Sequence, residues 1–119
     1  MTDKVVILVT ASSPEECRNI AQHLVESKLA ACVNITPRIE SVYRWEGKIV
    51  HDNEYQIFIK TRRDLFAEVK AAIARLHSYQ NPEIICLPVI EGSPDYLRWI
   101  DESVKQAGVL EEDDAARDR

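Results

Sequence analysis

Two stretches of this chain are apolar on both parities of a β-strand, so its fold must cover a sheet on both faces. Lys4 to Ala11 (KVVILVTA) is short and rich in β-branched residues, which marks a strand. Val5, Ile7 and Val9 occupy one parity, and Val6 and Leu8 the other. Glu83 to Glu91 (EIICLPVIE) behaves alike, with Ile85, Leu87 and Val89 set against Ile84, Cys86 and Ile90. A strand with one wet face would instead alternate apolar and polar residues.

The segments between these strands set the topology. Ser13 is placed as an N-cap, with Pro14 at the first helical position and Glu16 closing a capping box. Cys17, Ile20, Ala21, Leu24 and Val25 recur at helical spacing, so this helix runs to about Lys28. Ala30 to Thr36 is a second strand, broken at Pro37 and continued by Arg38 to Trp45. Glu46-Gly47-Lys48 is a hairpin tip, and Ile49 to Thr61 returns as a third strand. Asp64 is placed as the cap of a second helix that turns Leu65, Val69, Ile73 and Leu76 inward. The loop His77 to Pro82 leads into the fourth strand, and Ser93-Pro94 opens a short third helix with Leu97, Ile100 and Val104 in register.

The order β-α-β-β-α-β plus a C-terminal helix is an α+β, ferredoxin-like split βαβ arrangement, an antiparallel sheet with two helices on one face. The third helix is too small to cover the other face, so another subunit is the expected cover. A strand arm of eight residues reaches ~27 Å, far enough to pair outside its own subunit. Residues 1–107 are expected to form a single domain, and residues 108–119 (GVLEEDDAARDR), charged and without periodicity, an acidic disordered tail.

At 119 residues the chain suffices for one core. Its net charge of −5 lacks the basic footprint of a nucleic-acid binder. With no apolar run long enough to span a bilayer and no signal-peptide layout at Met1-Thr2-Asp3-Lys4, no membrane partner and a cytoplasmic location are expected. Three scattered cysteines, Cys17, Cys32 and Cys86, make neither a disulfide framework nor a C-x-x-C metal pair, and read as small buried hydrophobes.

A longer pattern resembles the CutA divalent-cation-tolerance family. It comprises Lys28-Leu29-Ala30-Ala31-Cys32-Val33-Asn34, Tyr43-Arg44-Trp45-Glu46-Gly47-Lys48 and Lys60-Thr61, then His77-Ser78-Tyr79-Gln80-Asn81-Pro82-Glu83-Ile84 and Tyr96-Leu97-Arg98-Trp99. In order and spacing these motifs span about residues 4 to 105. The resemblance implies a CutA-type domain in a homotrimer similar to the P-II-type regulators, with a non-enzymatic role in tolerance of copper and other heavy metals. Two departures matter. Ser78 stands where the family loop has proline, and Val9 stands where a thiol ligand has been proposed.

His77 is therefore the one metal-site residue the resemblance carries over, as principal ligand of a weakly bound Cu(II) or other divalent cation. Tight Cu(I) binding is not expected without sulfur. On its own residues, His77 reads first as a helix-end histidine complementing the last carbonyls, with metal ligation the second reading. His23 and His51 read as solvated surface. Tyr43 and Trp45 share one strand face and pack either at a trimer seam or in a ligand pocket. The junction pocket is expected to draw on Tyr43, Trp45, Glu54, Lys60, Tyr79, Glu83 and Trp99, where the arm meets the 77–83 loop of a neighbouring subunit. Glu54 and Lys60, six residues apart on one strand face, read as an ion pair or solvated rim. A small-molecule or protein signalling partner is expected from this reading.

The alternative from another class is a small acylphosphatase-like hydrolase. It needs an arginine in a phosphate loop after the first strand and an asparagine to orient water. Thr10 to Glu16 lacks arginine and is acidic. A trimerisation module without a ligand is a third reading.

Overall fold

The computed structural model describes residues 1–108 of the chain. Its elements run β1 (Lys4–Ala11), α1 (Pro14–Glu26), β2 (Cys32–Ile35), β3 (Ile39–Trp45), β4 (Lys48–Arg62), α2 (Phe66–Leu76), β5 (Ile85–Pro88) and α3 (Pro94–Ser103). The sheet order is β2-β4-β1-β5 with every pairing antiparallel, and β3 pairs with the first half of β4. Pro37 separates β2 from β3, so two short strands share one long partner. The result is the expected ferredoxin-like α+β arrangement.

The core lies between the sheet and the first two helices. Val5, Ile7, Val9 and Ala11 of β1 meet Ile57 and Ile59 of β4, with Cys17, Ile20 and Leu24 of α1 and Val69 and Ile73 of α2 above them. Cys17 is a packed hydrophobe, and its burial pushes the thiol pKa up. Cys32 and Cys86 are half-buried, and all three cysteines are free. The opposite face carries Val6, Leu8 and Phe58, half-buried, beside Ile85 and Leu87, which are 48% and 44% exposed. Among the described residues this face is therefore only partly covered.

Several local expectations change. The Ser13 hydroxyl accepts from the Glu16 amide at 3.1 Å, but Glu16 Oε1 returns to the amide of Ser12, at 3.3 Å. Val25 falls on the exposed side of α1. Asp64 caps nothing: it pairs with Arg62 at 2.9 Å, and a 3₁₀ turn at Arg63–Leu65 starts the second helix. Ser93 also makes no side-chain cap bond. β5 is four residues, not nine, because residues 77–84 are a loop and Pro88 removes a donor, although Val89 still donates to the Lys4 carbonyl at 3.0 Å. Gly108, the first residue of the expected tail, donates its amide to Glu68 at 3.1 Å. The rest of that tail lies outside the described residues.

α3 is tied back by charge as well as by Ile100. Asp101 reaches Lys4 at 3.1 Å and Arg62 at 3.5 Å, and Lys105 meets Glu68 at 2.6 Å. Lys4 also pairs with Asp3. No helix among the described residues is long and apolar enough to cross a membrane.

Candidate functional site

The arm formed by β3 and the start of β4 lines, from base to tip, a cleft of about 770 Å³. A two-residue turn makes the arm possible: Glu46 and Gly47 both have positive φ, 50° and 80°, which matches the right-handed twist of a tight hairpin. In the ladder Ile39 pairs with Glu54, Ser41 with Asp52 and Tyr43 with Val50. Tyr43, Trp45 and Glu54 therefore share one face. The 77–83 loop forms the other wall, with Tyr79 and Glu83.

Hydrogen bonds fix that loop to the sheet. His77 ends α2 and points its ring at β1, with Nε2–H donating to the Thr10 carbonyl at 2.6 Å. Its Nδ1 accepts from the Tyr79 amide at 3.0 Å. The Tyr79 hydroxyl donates to Glu54 Oε2 at 2.8 Å, and Gln56 Nε2 donates to Glu83 at 3.3 Å and to the Val9 carbonyl at 2.9 Å. Burial, then the bond to Glu54, drives the Tyr79 pKa far up, so this phenol stays a donor. Tyr43 is likewise raised by its bond to Asp52, 3.0 Å away.

Glu16 joins this set, a role that sequence spacing assigned only to helix capping. Its Oε2 accepts from the Ser78 amide at 2.7 Å. Burial pushes the Glu16 carboxyl up, but the bonds from Ser78 and Ser12 outweigh it and hold the group below the usual carboxylate range. The free N–H of Ser78, which a proline there would lack, makes this bond possible.

The expected site residues thus divide. Tyr43, Trp45, Glu54, Tyr79 and Glu83 come together in one cleft, and they do so within one chain. Lys60 and Trp99 do not join them. Lys60 hydrogen-bonds Asn34, and Glu54 bonds Tyr79, so the two form no ion pair. Six strand residues separate them by ~20 Å, too far for contact. Trp99 stacks on Tyr96 on α3, ring centroids 5.4 Å apart. His77 lies behind the cleft wall with both ring nitrogens hydrogen-bonded, so a metal ion would have to displace Thr10 or Tyr79 to use it. Among the described residues no three His, Cys, Asp or Glu side chains converge as a metal-binding group. The donors of the described residues therefore do not fit a resident metal.

The segment after β1 offers no phosphate cradle either. Glu15 and Glu16 occupy the first turn of α1 and no arginine lies between Thr10 and Glu16, so an acyl phosphate would meet negative charge.

A sequence profile described as CutA1 divalent ion tolerance protein matches residues 5–103. The chain is 46% identical over 98 residues to the divalent-cation tolerance protein CutA of Thermus thermophilus, covering 82% of this chain and 95% of that one. It is 44% identical over 101 residues to the chloroplastic protein CutA of Arabidopsis thaliana, covering 85% of this chain and 56% of that relative. The structure of the periplasmic divalent cation tolerance protein CutA from Archaeoglobus fulgidus superposes with a TM-score of 0.83 at 45% identity, covering 86% of this chain and 99% of that one. Profile, identity and fold agree over the whole of the core and the cleft: the chain belongs to the CutA1 divalent ion tolerance family.

Proposed function

We propose that this protein is a cytoplasmic homotrimer that serves divalent-cation tolerance, copper included, as a regulatory binding protein rather than as an enzyme. The observation that carries the reading is the sheet face of Val6, Leu8, Phe58, Ile85 and Leu87, which one chain leaves partly exposed and which borders the cleft. A second and third copy supply the missing layer, and the arm–loop cleft becomes a ligand site at the subunit junction. The Cu(II) that the resemblance implies is bound weakly: Val9 supplies no thiol and both His77 nitrogens are occupied. The action is therefore ligand sensing, not sequestration of metal.

Light scattering coupled to size exclusion tests the assembly. The expected mass is three times 13.6 kDa. A monodisperse monomer at micromolar concentration overturns the reading, because the apolar face would then need no cover. Calorimetry with copper(II) chloride tests the rest: weak binding is expected, and a tight complex would contradict it.

A further inference from the structure

We propose that the cleft between the arm and the 77–83 loop takes a small organic ammonium ion. The inference rests on the reading of this cleft as the ligand site and specifies the chemistry of the ligand. Its starting point is Glu54, 6% exposed and the only buried carboxylate among the described residues. A buried carboxylate is costly unless a counter-charge or several hydrogen bonds replace its water. The buried cations Lys4 and Lys105 each have an acidic partner. Glu54 has no basic partner among the described residues, and its one hydrogen bond there comes from the neutral Tyr79 hydroxyl, to Oε2. Its Oε1 accepts nothing there, yet no buried side-chain oxygen lacks a partner. Oε1 is therefore open, and the opening it has is the cleft that Glu54 lines.

The walls nearest that oxygen are tyrosines. Tyr79 donates to Glu54 and Tyr43 to Asp52 on the same strand face, while Trp45, six strand residues further along the arm, lines the far end of the cleft. Aromatic faces beside a carboxylate are the chemistry that holds an ammonium group, since the ring quadrupole attracts a cation that has shed its water. Glu83 adds a second carboxylate, while Arg44, the one basic residue of the lining, belongs to the opposite strand parity. A bare divalent ion asks for several convergent donors, which the described residues do not assemble. An ammonium ion asks for one carboxylate and apolar walls. The volume of about 770 Å³ admits a small organic body behind the charged head.

The full-length protein is titrated with tetramethylammonium chloride against sodium chloride at constant ionic strength and followed by saturation-transfer NMR on the ligand. Saturable transfer is expected, with affinity about tenfold weaker in Glu54→Gln and unchanged in Glu26→Gln. Tyr43→Ala should weaken binding too and keeps the test open if Glu54→Gln does not fold. Unsaturable transfer, or equal affinity in Glu54→Gln, overturns the inference. Copper(II) chloride is the companion probe, read by calorimetry. If it alone binds in a Glu54-dependent way, the ammonium inference falls and the cleft stands as a ligand site; if neither probe saturates, both fall.

Discussion

His77 shows how one residue type can satisfy a motif and serve a different physical role. An imidazole at a helix end is legible in sequence, but its partners are not, because Thr10 lies 67 residues away. The ring holds the neutral tautomer that donates from Nε2 and accepts at Nδ1, bridging β1 to the Tyr79 backbone. Thr10 is nearly buried, so removing the donor strands its carbonyl. His77→Ala should therefore cost about 1–3 kcal/mol in urea denaturation. Its weak affinity for copper(II) should stay unchanged in calorimetry. Full stability with lost copper binding would instead make this histidine a ligand.

At the scale of elements, the loop after α2 is held by the start of α1 through Glu16. A carboxyl held below its ordinary pKa by folding contributes stability above the unfolded value, and that contribution disappears as pH falls through the folded value. Glu16→Gln should thus be less stable than the parent by about 1–2 kcal/mol near neutral pH, the scale of a bond to a charged group. The gap should narrow as pH is lowered from about 5 toward 3. Melting curves of the pair at several pH values measure this, and a gap constant with pH would remove the carboxylate from the explanation. The same elements show what periodicity can and cannot supply. β1 and the Pro37 break follow from local chemistry and appear as read, whereas α1 stops at Glu26 rather than about Lys28 and the hairpin tip narrows from Glu46-Gly47-Lys48 to Glu46-Gly47. The length of β5 does not, because apolar Ile84 and Ile90 look like strand residues while loop bonds and Pro88 decide where pairing stops. Asp64 has cap chemistry at a cap position, yet Arg62 is the closer competitor for its carboxylate. That Tyr43, Trp45, Glu54, Tyr79 and Glu83 line one cleft was legible because strand parity aligns three of them and the motif loop supplies two. Glu16 escaped notice since its helix-start role already explained it.

For the whole molecule, the decisive quantity is the apolar face that one chain cannot hide. Ile85 and Leu87 sit at its edge, and Val6, Leu8 and Phe58 continue it across β1 and β4. A free monomer would keep that surface wet, whereas assembly removes it at a gain of roughly 25 cal/mol per Å² of apolar area. In the proposed trimer, folding and association merge into one transition, and mass action makes the apparent stability depend on protein concentration. The melting temperature should rise across a hundredfold increase in concentration. Leu87→Asp places a charge on the face without touching the core under the helices, so it should yield a smaller species whose melting no longer depends on concentration. A parent protein whose melting temperature is equally insensitive, or a Leu87→Asp variant that keeps the parent's mass and melting behaviour, would mean that this face is not where the subunits meet.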